Sequence, residues 1–221
     1  MTVTRFAAAA GALALAALIP SLARAQGHDR HAMPHQQDLT PEQEKQRSAL
    51  VRIVRDANDR FRDVTVAESE GYGLMFGCVT GPDFGAMGMH FVKGEYIGDD
   101  VLDPTHPEIV IYEPMPDGRL ELTGADFLVF KDVWDANHAA PPQIMGQLMH
   151  LFEAPNRFGL PAFYTLHVWA WKNSPNGSFV NWHPQVSCDA FAGSDPGAPD
   201  PGPDRVGRMK VLQQGGSPRK Q

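Results

Sequence analysis

Positive charge is scarce in this chain of 221 residues, where 19 lysines and arginines face 26 aspartates and glutamates. The formal charge of −7 favours cations over polyanions and argues against nucleic acid or an anionic membrane surface as a partner. Beyond residue 25 no apolar run approaches the roughly 20 residues that a spanning helix needs, so no membrane insertion is expected. There is no internal repeat, and no Gly-x-Ser-x-Gly elbow of the kind that serves many hydrolases. Glu95, Asp99, Asp100, Asp103 and Glu108 lack the spacing of a calcium-binding loop and read as a solvated connection. Cysteine is scarcest of all, with only Cys78 and Cys188.

The first 25 residues have the form of a secretory signal. Arg5 gives the positive start, Phe6 to Ile19 the apolar core, and Ala23-Arg24-Ala25 the small-x-small cleavage pattern. No cysteine follows the core, which argues against a lipid anchor. The chain is therefore expected to be periplasmic or secreted, where an oxidising environment favours joining Cys78 to Cys188. The expected organisation is a signal peptide over 1–25, a disordered histidine-containing tail over 26–39, one domain over 40–188 and a disordered tail over 189–221.

A helix starts sharply. Thr40 is a good N-cap, Pro41 suits the first helical position, and Gln43 can complete a capping box. Leu50, Val54, Ala57, Phe61 and Val64 alternate at spacings of four and three, which predicts one long helix to about Glu70, stopped by Gly71. The texture then turns to β. Met87 to Lys93, Glu108 to Glu113 and Arg119 to Phe130 are candidate strands, with a turn at residues 114–118 and a bulge at Gly124. Pro141 and Pro142 open a candidate short helix through Ile144, Leu148 and Leu151. Together these elements predict an α+β fold, with a long N-terminal helix packed on an antiparallel sheet. The alternative is a partly closed β-barrel with the helix outside.

The richest stretch is residues 163–188. Phe163 to Lys172 is aromatic and β-branched, residues 173–177 form a turn cluster, and Ser178 to His183 is a second run. A five-residue loop would pair Lys172 with Ser178 and set His167 opposite His183, close enough for both imidazoles to reach one metal ion. Strand alternation puts Trp169 and Trp171 on the face of His167, where they could line a ligand pocket. His90 alternates with Met87, Met89 and Phe91 and is expected to point away from them. At the mature N-terminus, Gln26-Gly27-His28 offers an amine, two amides and an imidazole, a square-planar set suited to copper(II). Residues 85–95 depart from the first metal motif of cupin barrels, which has two histidines one residue apart, because position 92 is valine.

Three segments, GAMGMHFV at 85–92, PEIVIYEPMPDGRLEL at 107–122 and LHVWAWKNSPNGSFVNWHPQVSC at 166–188, resemble a group of small exported bacterial proteins. The resemblance implies one exported domain and brings no catalytic residues with it. The residues themselves point to a monomeric, non-catalytic binding protein, with copper or zinc held by His167, His183 and His90 and by the tail through His28. The alternative is a secreted small-molecule-binding or enzymatic domain whose pocket is lined by Trp169 and Trp171.

Overall fold

The computed structural model describes residues 40–193 apart from Pro82. Helix α1 (Pro41–Asn58) begins where its sequence signals place it. The Thr40 hydroxyl accepts from the Gln43 amide at 3.2 Å, and the Gln43 side chain accepts from the Thr40 amide at 2.8 Å. The helix is shorter than its apolar stripe predicts. Asn58 is buried and its side-chain amide donates to the Val54 carbonyl, one turn back. Such local bonds compete with helix propagation. The chain tightens into a 3-10 turn (Asp59–Arg62), and Asp63 then caps a separate helix α2 (Val64–Ser69) by accepting from the Thr65 amide.

Eight strands follow among the described residues: β1 (Tyr72–Gly81), β2 (Gly85–Lys93), β3 (Ile109–Pro114), β4 (Leu120–Phe130), β5 (Gln143–Ile144), β6 (Gln147–Leu148), β7 (His150–Phe152) and β8 (Phe163–Val168). Helix α3 (Lys131–Asn137) lies between β4 and β5. Six strands form a strongly curled antiparallel half-barrel in the order β1-β2-β3-β4-β8-β7, and β5 and β6 form a small ribbon. The α+β class is therefore present, on a sheet that curls toward a barrel. The short helix expected after Pro141 and Pro142 is replaced by β5, β6 and β7, because β7 adds to the edge of the main sheet beside β8.

The sheet has two differently employed faces. One carries Phe127, Val129, Leu166 and Val168 against Leu50 and Val54 of α1. Farther along the same side, Met89, Phe91, Val110 and Tyr112 pack on Phe61 and Ala67. The Tyr112 hydroxyl donates to the Phe61 carbonyl at 2.7 Å, which fixes the 3-10 turn to the sheet. The other face carries Met87, Val92, Ile109, Ile111, Leu128 and Phe163, gathered around a separate apolar cluster. Cys78 and Cys188 are joined, tying β1 to the segment that ends the described chain. No helix among the described residues is long and apolar enough to cross a membrane.

The hairpin expected over 163–183 does not form. Strand β8 ends at Val168 and is already paired on both sides, with β4 and β7, so it has no free edge for a returning strand. Residues 178–180 keep only two bonds to the chain just after it, both through Trp169: its amide to the Ser178 carbonyl and its indole N–H to the Val180 carbonyl. The chain instead carries His183 to β2, where its backbone exchanges two hydrogen bonds with Ala86. Gly85 makes that approach possible, since a Cβ there would lie 2.1 Å from the His183 carbonyl oxygen.

Candidate metal centre

Three strands contribute one candidate ligand each on the face opposite α1 and α2. Asp126 on β4 is directly opposed by His167 on β8, so adjacent strands turn the two side chains to the same side. His90 comes from β2, two strands away across β3. In a flat sheet that gap would be nearly 10 Å, about two strand spacings. Curling of the half-barrel closes it, and one potential ligand atom from each residue lies within 4.8 Å of the other two. Among the described residues no other group of three histidine, cysteine or acidic side chains converges in this way.

The surroundings of the three are apolar. Phe76, Met87, Leu128, Phe158, Leu160 and Phe163 line the pocket with them, and the free space at its centre is about 20 Å³. Met87 is on this face because of a bulge. The β1–β2 register shifts between Val79 and Thr80, and Gly88 takes φ +94°, a conformation that favours glycine. Met89 and Phe91 do point away from His90 into the other cluster, whereas Met87 joins it.

Each candidate ligand is held differently. His90 Nδ1 lies 3.0 Å from the Gly88 carbonyl oxygen, which can only accept, so Nδ1 carries the proton and Nε2 is left with its lone pair. Histidines that bind metals are commonly oriented by such a bond. The Thr165 hydroxyl donates to Asp126 Oδ1 and fixes the carboxylate. His167 Nδ1 stands 3.6 Å from Asp126 Oδ1, and both of its ring nitrogens are buried without a hydrogen-bond partner. Asn181 is near enough to favour a charged His167 slightly, but it does not reach bonding geometry, and its own side-chain oxygen is likewise buried and unpartnered. Enclosed polar atoms with no partner are rare and call for an explanation. The His90 and His167 rings meet edge to face, 5.8 Å apart.

Burial sets the protonation states. It drives the imidazoles down, His90 to about 4 and His167 to about 3, so both are neutral at pH 7. It pushes the Asp126 carboxyl up to about 6, against the opposing pull of the Thr165 hydroxyl and of His90. Above pH 6 the pocket therefore holds one negative charge and two neutral imidazoles. No lysine or arginine among the described residues lines it. Burying a carboxylate is costly, and a divalent cation in the pocket would supply opposite charge and the missing partners together.

This buried group of His90, Asp126 and His167 could hold a metal ion. Of the residues singled out in the sequence, the structure brings together His90 and His167. His183 is elsewhere, with its ring 4.8 Å from Trp169 and its Nδ1 accepting from the Gln185 amide. Trp169 lies between the two histidines that the hairpin would have opposed, 6.0 Å from His167. Trp171 donates to Asp59 on the helical side of the sheet, so neither tryptophan lines the pocket. His28 lies outside the described residues. Asp126 escaped the sequence reading, although a signal was there: it is the one charged residue within the otherwise apolar run Ala125 to Phe130.

Thr165 carries a first expected outcome. Thr165→Val preserves the β-branched shape and removes the hydroxyl that orients Asp126, and losing such an outer partner typically costs about 10–100-fold in metal affinity. Zinc titration of the variant against the parent protein checks this; equal affinities would mean that Thr165 does not support the site.

Compared with protein-family models, curated proteins and solved structures, the chain matches none of them.

Proposed function

We propose that this is an exported metal-binding protein in which His90, Asp126 and His167 hold a single first-row divalent ion, zinc or iron(II). The carrying observation is His167, an enclosed imidazole with no hydrogen-bond partner on either nitrogen beside a buried carboxylate. Two imidazoles and one carboxylate form a donor set shared by zinc centres with an open fourth position and by non-haem iron(II) centres. Copper, which the hairpin histidines first suggested, remains a competitor because copper(II) binds nitrogen sites most tightly of the common divalent ions. The signal-like residues 1–25 and the Cys78–Cys188 disulfide support export.

Metal analysis of the untagged protein recovered from the periplasm tests the reading. About one equivalent of zinc or iron is expected, absent from a His90→Ala/His167→Ala variant. Protein that is recovered metal-free and takes up no added zinc or iron would favour the second reading, a small-molecule site built on the pocket's aromatic lining.

The pH dependence has a definite sign. Metal and proton compete for Asp126, so affinity is fullest above about pH 6 and falls as pH drops through it. The histidines add their own competition only near pH 4 and below. Zinc affinity measured across the neutral to mildly acidic range should decline steadily below about pH 6; a flat profile there would place the metal on other groups.

A further inference from the structure

Resting on that reading of the centre, we propose that the bound metal takes a small exogenous ligand of two or three heavy atoms, in the class of dioxygen and azide, and that Phe158 sets the size limit. Three protein donors leave at least one coordination position of a four- to six-coordinate ion open. The position faces the pocket, because the three residues are themselves part of its wall. The space is tight, with only about 20 Å³ open to the centres of water-sized groups, which suits a ligand of two or three heavy atoms better than a substituted organic acid or a sugar.

The chemistry of the wall narrows the class further. The only other polar side chain lining the pocket among the described residues is Thr165, whose hydroxyl is already committed to Asp126. A ligand must therefore be held by the metal rather than by hydrogen bonds from the wall. Small ligands whose affinity comes from one metal bond, with an apolar or weakly polar outer end, meet that requirement. Sugars, amino acids and phosphate esters would bury polar groups without partners.

The mouth of the pocket is aromatic. Phe152 and Phe158 are the two lining residues that are not fully buried. Phe158 sits among three other rings, with centroids 5.5 Å from Phe76, 6.0 Å from Phe163 and 6.2 Å from Phe152. Removing its ring would widen the way into the inner space without touching a candidate ligand.

Cobalt(II), which reports its coordination in the visible spectrum, is the probe ion, and azide and benzohydroxamate are the probe ligands. With cobalt bound, azide should shift the spectrum saturably, and benzohydroxamate should bind at least 10-fold more weakly than azide. Phe158→Ala should gain at least 10-fold in benzohydroxamate affinity, and Phe158→Trp should lose azide affinity. Cobalt binding without any azide response would overturn this inference while leaving the metal site intact. Equal affinity of the parent protein for both ligands would overturn the size limit. Failure to bind cobalt at all would remove the inference together with the metal reading.

Discussion

Replacing Asp126 with asparagine is expected to make the metal-free protein more stable and the metal site useless. Burial raises the Asp126 carboxyl from 3.8 to about 6, so the fold favours its protonated form. The unfolded chain gives up that proton at lower pH. Between about pH 4 and 6 the native state therefore binds more protons than the unfolded state, and this residue's contribution to stability falls as pH rises. Above pH 6 the whole penalty is present, about 2–3 kcal/mol from a shift of that size. The neutral asparagine side chain would not carry that penalty, and its oxygen could still accept from Thr165. At pH 8, chemical denaturation of the metal-free proteins should show D126N more stable by up to that amount, with the advantage vanishing near pH 4. Zinc affinity should fall by more than about 100-fold, beyond what loss of an outer partner costs. A variant less stable than the parent protein at pH 8 would mean that the hydrogen bonds the carboxylate accepts outweigh the cost of its burial.

The second large effect concerns the disulfide. Cys78 and Cys188 are 110 residues apart, so their bond closes a loop that contains nearly the whole sheet. Chain-entropy estimates for a loop of this length give about 4–5 kcal/mol. Cys78→Ala/Cys188→Ala should lose stability of that order, a large share of what a domain of this size possesses. The loss should centre on β1 and the last described segment, because Cys78 packs with Phe91, Tyr112 and Leu122 and Cys188 packs against that cluster. Denaturant unfolding of the double variant measures it. A change below about 1 kcal/mol, far under the chain-entropy figure, would mean that the bond is incidental to the fold.

Much of this fold is legible in local signals. Thr40, Pro41 and Gln43 announce the start of α1, and residues 114–118 announce the turn between β3 and β4. That hairpin does contain a bulge, one residue earlier than Gly124. Ile111 pairs with Gly124 and Tyr112 with Leu122, leaving Thr123 as the extra residue. The break in the helix is local too, but its signals are easily overridden. The apolar stripe runs on through Phe61, while Asn58 and Asp63 capture backbone groups and end one helix and begin the next.

The candidate site divides along the same line. His167 is legible because aromatic and β-branched neighbours fix its strand and alternation fixes its face. Its true partners are not, since they depend on which strands flank β8. Residues 178–183 follow β8 in sequence, yet β4 and β7 occupy its edges. Loop length can set a register only when an edge is free. His90 and Asp126 meet His167 through the curl of the sheet, a collective property that no short segment encodes. Asp126 could have been noticed as a lone acid in an apolar strand, but nothing in its neighbours says which imidazoles it faces.

The most direct measurement is a zinc titration of the metal-free, untagged protein at neutral pH, followed by calorimetry, alongside the His90→Ala/His167→Ala variant. One tight equivalent in the parent protein and none in the variant is the expected result. Equal tight binding by both would contradict a centre built on His90, Asp126 and His167.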